Sequence, residues 1–141
     1  MNFLLDTNIL SEAQRPQPDL RVMDWLGMTD EDRIFISVIS IAEIRRGIEL
    51  LPASRRKEML ADWLDNDLPP RFEGRMLLVD KAVNDQWGHV MAAAKKAGIG
   101  LQPMDAFFAA TALAHNLVLV TRNTKDFAAT GVRLLNPWDV A

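Results

Sequence analysis

The chain has 141 residues, 49% of them hydrophobic and 25% charged, so it is long enough to bury the core of one ordinary domain. Its formal net charge of -3 argues against a protein that coats nucleic acid without specificity, because such proteins are usually basic. The absence of cysteine and the presence of only two histidines make a structural zinc site or a cysteine nucleophile implausible. Any metal ion should therefore be held by oxygen atoms.

The sequence carries no feature of a membrane or secreted protein. It lacks the run of about 18 apolar residues that a transmembrane helix requires, and its N-terminus lacks the basic and apolar pattern of a signal peptide. The absence of cysteine agrees with a reducing compartment. We therefore expect a single domain over residues 1–141 that works in the cytoplasm, without a membrane partner.

Five short apolar runs have the character of β-strands. In chain order they lie at residues 3–5, 34–36, 76–79, 117–120 and 133–135, the third being the weakest and the fourth the strongest. Helical patterns separate them, at residues 41–51, 59–64, 83–97 and 106–114. The last of these is apolar on nearly every side, which is typical of a buried helix. Strands that alternate with helices and are apolar on both faces predict an α/β fold with a parallel sheet covered on both sides.

Polar side chains follow three of the predicted strands, at the point where each strand ends or the next helix starts. Asp6 ends the first strand, and Glu43 lies near the start of the helix after the second, away from its apolar stripe. Asp105 begins the buried helix, and Asn123 and Asp126 follow the strongest strand. Because open parallel sheets bind ligands beyond the carboxyl ends of their strands, we expect these side chains at one edge of the sheet.

Each acid has a simpler explanation when it is taken alone. Asp6 could cap the turn that follows it, Asp105 could stabilise a helix N-terminus, and Glu43 could be a surface glutamate. Together they would repel one another, because the electrostatic repulsion between two carboxylates ~4 Å apart is roughly 4 kcal/mol at an effective dielectric constant of about 20. We therefore expect a hard cation, Mg²⁺ or Mn²⁺, with Asp6, Glu43 and Asp105 as its ligands.

A cation held by carboxylates predicts hydrolysis of a phosphodiester. In such sites metal-bound water supplies the nucleophile, and the ions neutralise charge on the attacking and leaving oxygen atoms. Three neighbouring polar residues are expected to orient the carboxylates by hydrogen bonds: Thr7, Asn8 and Thr121.

Four segments, in this order, are similar to the PIN-domain ribonucleases, and specifically to the FitB-like branch of the VapC toxin family: LLDTNILSE, SVISIAEIRRGIELLP, PMDAFFAATALAHNLVLVTRNTKDF and GVRLLNPW. The resemblance covers nearly the whole chain. It implies a three-layer α/β/α sandwich around a central, mainly parallel sheet of four to five strands. It also implies that the chain is the toxin of a type II toxin–antitoxin system and that this toxin is an endoribonuclease dependent on Mg²⁺ or Mn²⁺.

The resemblance carries over residue by residue at the candidate site. Asp6, Glu43 and Asp105 match the three core acids of the family. Asn123 stands where some FitB-like members have aspartate, so we expect it at the fourth catalytic position, orienting a metal-bound water through its carbonyl group. Asp126, three residues further on, is a second candidate for the missing charge.

The resemblance also implies partners. Transfer RNA is a common substrate in the family, and the candidates for contacts with the RNA backbone are Arg45, Arg46 and Arg122. The chain is expected to form a homodimer, and a hetero-oligomer with a VapB- or FitA-like antitoxin. We expect an antitoxin arginine to enter the acidic site after an apolar segment has docked in a groove near Trp25 and the helix that carries Glu43.

Other classes of protein are compatible with parts of the pattern. A receiver-like domain needs paired acids after the first strand, and an aspartate-nucleophile phosphatase needs an Asp-x-Asp pattern, whereas LLDTN offers one aspartate. A non-catalytic PIN domain would act only as a binding module. The three acids argue against that last alternative, since an inert pocket gains nothing from charges that repel one another.

Overall fold

A central sheet of five parallel strands organises the computed structural model, which describes residues 1–139. The strands are β1 (Phe3–Leu5), β2 (Ile34–Ser37), β3 (Met76–Leu77), β4 (Val118–Val120) and β5 (Leu134–Leu135). Their order across the sheet is β3-β2-β1-β4-β5, so the first strand of the chain lies at the centre. Residues 140 and 141, which the sequence assigns to the same domain, lie outside the described part of the chain.

Helices connect the strands. The α-helices of residues 1–139 are α1 (Thr7–Ala13), α2 (Leu20–Met28), α3 (Val38–Glu49), α4 (Arg55–Asp62), α5 (Leu68–Arg71), α6 (Lys81–Lys96), α7 (Pro103–His115) and α8 (Thr124–Phe127). A π-helical turn (Trp63–Asp67) joins α4 to α5, and 3₁₀ turns lie at Glu31–Arg33 and Ala128–Thr130. None of the helices in this part of the chain is both long enough and apolar enough to span a bilayer.

The alternation of side chains along the strands divides the core into two layers. Because successive residues of a strand point to opposite faces, Leu4 and Leu119 pack on one face of the sheet. Their neighbours Leu5 and Val120 pack on the other face. Helices α1, α2, α3 and α5 contribute buried side chains to the Leu5 layer, and α7 and α8 contribute to the Leu4 layer. The predicted α/β/α sandwich with a parallel sheet is confirmed.

The register of the sheet places the ends of three strands side by side. Leu5 pairs with Ile36 of β2 on one side and with Val120 of β4 on the other. The backbone N–H of Asp6 donates to the carbonyl oxygen of Val120 at 2.9 Å and so extends the ladder by one residue. The residue that follows β1 is therefore fixed at the centre of the carboxyl edge.

The five strands occur where the sequence predicts them, and the predicted helices correspond to α3, α4, α6 and α7 with shifted ends. The segment after Asp6, for which no helix was predicted, forms helix α1. The Asp6 carboxylate caps this helix by accepting from the N–H of Thr7. Helix α2 was not predicted either, and the side chain of Asp19 caps it by accepting from the N–H of Arg21 at 2.9 Å.

Candidate active site

Asp6 is the most constrained acid of the site. It is buried, with 6% of its surface exposed. Its Oδ1 accepts from the backbone N–H of Thr7 at 2.7 Å, and its Oδ2 accepts from the hydroxyl of Thr121 at 2.8 Å. The side-chain amide of Asn8 donates to the same Oδ2 at 3.4 Å. The three residues that were predicted to orient carboxylates therefore all contact Asp6.

The charge of Asp6 is unfavourable in this position. Burial raises the pKa of Asp6 from 3.8 to about 6, and the negative charges of Glu43 and Asp105 act in the same direction. The hydrogen bonds from Thr121 and Thr7 oppose this rise, because they stabilise the carboxylate. Asp6 therefore lies close enough to both other predicted acids to be affected by their charges.

Thr7 connects Asp6 to Glu43. Its hydroxyl donates to Oε1 of Glu43 at 2.6 Å and lies 2.9 Å from the hydroxyl oxygen of Ser40. Glu43 is half-buried in the second turn of α3, and Ser40, which is fully buried, precedes it by three residues. Sequence reasoning did not identify Ser40. Its spacing from Glu43 places both residues on one face of a helix, which is the signal that could have found it.

Asp105 is the third residue of α7 and is half-buried. Burial raises the pKa of Asp105, and the charges of Asp126 and Glu43 raise it further. Asp126 is exposed on α8. Because α8 follows β4 and the helix of Glu43 follows β2, and these strands lie on opposite sides of β1, the two acids come from opposite sides of the site. Asn123, the other candidate for the fourth position, precedes α8, and its backbone N–H donates to the hydroxyl of Thr121 at 3.1 Å.

The acids are neighbours, but they are not gathered around one point. Within residues 1–139, no group of three acidic or histidine side chains is arranged so that it could hold a metal ion. Nor does any ion pair of the described residues involve the carboxylates of Asp6, Glu43 or Asp105. The donor atoms are carboxylate oxygens, which is the chemistry that Mg²⁺ and Mn²⁺ prefer.

One polar atom beside Asp6 lacks a partner. The amide nitrogen of Asn8 lies 3.4 Å from both Oδ2 of Asp6 and the hydroxyl oxygen of Thr121. The Oδ1 atom of Asn8 is buried and accepts no hydrogen bond. Among residues 1–139 it is the single buried side-chain polar atom without a hydrogen-bond partner. A buried acceptor of this kind calls for a donor that the protein itself does not supply.

The three arginines predicted to contact RNA differ in their surroundings. Arg45 forms an ion pair with Asp65. Arg46 is exposed and forms no ion pair within the described residues. The guanidinium group of Arg122 lies 5.0 Å from the ring centroid of Trp138, which fixes it beside the candidate site.

Two cavities meet at Trp63, next to the acids. A cavity of about 380 Å³ is lined by apolar side chains of α1 and β1, by Trp63 and Phe72, and also by the polar side chains of Gln14, Glu31 and Arg71. A second cavity, of about 260 Å³, runs from Trp63 to Thr7 and Glu43. The groove was expected near Trp25 and the helix that carries Glu43. Leu26 and Gly27, which follow Trp25 in α2, line the first cavity, and residues of α3 line the second. Trp25 itself lines neither cavity, and its ring packs edge-on against Phe3 with centroids 5.2 Å apart.

Comparisons with known proteins agree with this architecture. The family model described as the PIN domain matches residues 3–132. The toxin FitB of Neisseria gonorrhoeae is 38% identical over 136 residues, which are 96% of this chain and 98% of FitB. The VapC ribonuclease Y4jK of Sinorhizobium fredii is 34% identical over 139 residues, which are 99% of either chain. The crystal structure of FitAcB from Neisseria gonorrhoeae superimposes with a TM-score of 0.92 at 38% identity, covering 98% of this chain and 99% of that one.

Proposed function

The chain belongs to the PIN domain family, and from this premise we propose that it is the toxin of a type II toxin–antitoxin pair and hydrolyses RNA with Mg²⁺ or Mn²⁺. The relatives named VapC ribonuclease and toxin FitB match it over nearly their whole length, which supports this class of activity. The observation that carries the proposal is the buried Asp6 carboxylate at the end of the central strand, under the charges of Glu43 and Asp105.

The residues around Asp6 have different tasks in this proposal. Asp6, Glu43 and Asp105 would hold the cation after rotations of their side chains, which are not gathered around one point in the structure, because three neighbouring carboxylates without a cationic partner need a neutralising charge. When bound, the cation activates a water molecule and stabilises charge on the phosphoryl oxygens. Thr7 and Thr121 keep the carboxylate oxygens of Asp6 in place by hydrogen bonds from fixed backbone and hydroxyl groups.

The unpaired oxygen of Asn8 supports the presence of a ligand at this position. Leaving a buried acceptor without a donor costs about 1–3 kcal/mol. A water molecule beside Asp6 can donate to Oδ1 of Asn8, which would remove that cost and orient the water at the same time. Asn123 would serve a similar orienting purpose from the end of β4.

RNA binding would rest on the arginines whose charge is available. Arg46 is exposed without an ion pair in the described chain, and Arg122 is held on Trp138. Arg45 would have to leave Asp65 before it could bind a phosphate. Transfer RNA is a candidate substrate by the resemblance, and the geometry of these arginines does not select it over other RNA.

The cavities at Trp63 support an antitoxin as the protein partner. A peptide that fills the larger cavity with apolar side chains and passes Trp63 would bring a following arginine to Glu43. The planar guanidinium group pairs with carboxylates in a bidentate way, so it can take the place of the cation. Two copies of this chain, each bound by one antitoxin tail, would form the hetero-oligomer.

Phosphoryl transfer is less well supported than hydrolysis. Receiver domains use the strand order 2-1-3-4-5, whereas this sheet has the order β3-β2-β1-β4-β5. An aspartate-nucleophile phosphatase would need a second acid at the position of Asn8. A PIN domain that binds RNA without cutting it remains the alternative that an activity assay must separate.

A cleavage assay tests the proposal. Wild-type protein and RNA are incubated with Mn²⁺ or with a chelator, and Asp6→Asn is compared with Asp24→Asn, which changes an exposed aspartate of α2. With the metal, we expect wild type and Asp24→Asn to cleave the RNA and Asp6→Asn not to. With the chelator, we expect none of the three proteins to cleave it. Cleavage by well-folded Asp6→Asn at the wild-type rate would remove Asp6 from the mechanism. If the three proteins bind RNA and none of them cleaves it, the result would favour the binding module.

A further inference from the structure

A cleft extends from the proposed metal ligand Asp105 to residues that have no role in the proposed mechanism. It is lined by residues 99–102, Asp105, Lys125 and Asp126, and we call it the α6–α7 cleft because residues 99–102 join those two helices. Its volume is about 340 Å³. Cavities that bind small molecules start at roughly 300 Å³. The α6–α7 cleft therefore suits a ligand the size of one nucleotide.

The walls of the α6–α7 cleft combine apolar, amide and cationic groups. Ile99, which is 42% exposed, and Leu101 offer an apolar surface against which a base can pack. Gln102 precedes α7 at the position of a helix cap, but its side chain makes no capping hydrogen bond. Its amide is therefore free to donate to, and accept from, the edge of a base. Lys125 adds an exposed ammonium group.

Lys125 is available to bind an anion. It forms no ion pair with any residue of the described chain, although Asp126 is its neighbour in the sequence. It also lines a second cleft on α8, together with Arg122 and Asn136. The amide of Asn136 donates to the carbonyl oxygen of Arg122 at 3.3 Å, and the Arg122 guanidinium stacks on Trp138. The two cations therefore line one continuous cleft beside α8.

We propose that the α6–α7 cleft binds one nucleotide of single-stranded RNA, adjacent to the phosphodiester that is cut. This inference rests on the proposed function. Proteins recognise single-stranded RNA by packing splayed bases on side chains and by hydrogen bonds to the base edges. Asp105 and Asp126 repel a phosphate, so the neutral base enters the cleft and the phosphate is bound at Lys125.

The phosphate contact can be measured without cleavage. Fluorescence anisotropy with a short labelled single-stranded RNA is carried out on Asp6→Asn protein in the presence of a chelator, over a range of NaCl concentrations. Lys125→Gln is compared with Lys96→Gln, which removes another exposed lysine that lines neither cleft. We expect Lys125→Gln to weaken binding about threefold to tenfold and to lower the slope of log Kd against log salt by about 0.7, the value for one phosphate contact on a single strand. Lys96→Gln should leave both unchanged.

The base contact gives a different signature. Gln102→Ala should weaken binding about threefold with an unchanged salt slope, because a neutral amide releases no counterion. If RNA binds but Lys125→Gln behaves like Lys96→Gln, the nucleotide site is overturned and the proposed function stands. If the Asp6→Asn parent binds no RNA, and wild type cuts none, the proposed function fails and this inference fails with it.

Discussion

The hydroxyl of Thr7 donates a hydrogen bond to Oε1 of Glu43 at 2.6 Å, and this bond joins the helix after the first strand to the helix after the second. The backbone N–H of the same threonine donates to Asp6. One residue therefore sets the relative position of two acids that are 37 positions apart in the sequence. In the proposed metal-dependent mechanism, such a contact should affect the rate more than the stability.

Thr7→Val keeps the shape of the side chain and removes the hydroxyl. We expect the rate of RNA cleavage to fall about 10- to 100-fold, because the partner that orients Glu43 is lost. Thr7→Ser should retain most of the activity. Thr29→Val is the matched control, since that hydroxyl donates to a backbone carbonyl of α2. Single-turnover rates of Thr7→Val equal to those of Thr29→Val would contradict an orienting role for Thr7.

Metal binding should stabilise the folded protein. A cation that binds the folded site and not the unfolded chain contributes about 2.7 kcal/mol at about 100 times its Kd. Millimolar Mn²⁺ should therefore raise the Tm of wild type and of Asp24→Asn by several degrees, relative to chelator. Asp6→Asn should respond much less. The same Tm for wild type in Mn²⁺ and in chelator would count against the metal site.

The stability of the metal-free protein should depend on the ionisation of Asp6. The pKa of Asp6 is about 6 in the folded state and 3.8 for an isolated side chain, so the folded state binds the proton more tightly. This contribution to stability is fully present below pH 3.8 and is lost as the pH rises through about 6. Relative to Asp6→Asn, the free energy of unfolding of wild type should fall by about 2–3 kcal/mol between about pH 4 and about pH 7.

Urea denaturation in the presence of a chelator, at several pH values, measures this difference. Asp24→Asn should follow wild type, because that side chain is exposed. Parallel pH profiles for wild type and Asp6→Asn would show that burial of the Asp6 carboxylate has no net cost.

Asn123 and Asp126 can be separated as candidates for the fourth position. If Asn123 orients the attacking water, Asn123→Ala should lower kcat with little change in RNA affinity. If Asp126 is a metal ligand, Asp126→Ala should weaken Mn²⁺ binding. Titration calorimetry with Mn²⁺ and steady-state kinetics on both variants decide between them. A site that tolerates both substitutions relies on Asp6, Glu43 and Asp105 alone.

Inhibition by an inserted arginine should depend on the charges of the acids that it contacts. Glu43→Gln or Asp105→Asn should weaken binding of the proposed antitoxin partner by about 1–3 kcal/mol, the scale of a hydrogen bond to a charged group. Trp63→Ala should weaken it through the cavities instead, and Asp24→Asn should not. Calorimetric titration measures each change. Unchanged affinity in both acid variants, with a loss in Trp63→Ala, would mean that the antitoxin covers the groove without entering the acidic site.

The strand pattern was readable from the sequence because a parallel sheet buried on both faces needs apolar runs on every strand. The runs that contain Leu4, Ile36 and Leu119 meet that condition, and those three side chains are fully buried. Asp6 became a candidate for a related reason, because a charged side chain directly after a buried strand is unfavourable unless another group compensates it. Helix α1 was missed because it has 7 residues, too few for its periodicity to stand out.

Other features depend on contacts that a sequence does not encode locally. The bond from Ser40 to Thr7 and the ion pair of Arg45 with Asp65 connect different elements, so only the folded chain reveals them. Trp25 lies in α2 and Trp63 in the π-helical turn after α4, and nothing in the sequence distinguishes their roles. Only the packing of Trp25 on Phe3 shows which of the two is left to line a cavity.

The central position of β1 has a consequence for synthesis of the chain. The Thr121 hydroxyl that holds the Asp6 carboxylate is made 115 residues after Asp6 itself. Strand β4, which pairs with β1, is made at the same late stage. A nascent or truncated chain that ends before β4 therefore lacks half the neighbours of its central strand and cannot assemble the site. The order of the strands in the sheet therefore delays the candidate activity until β4 and Thr121 have been made.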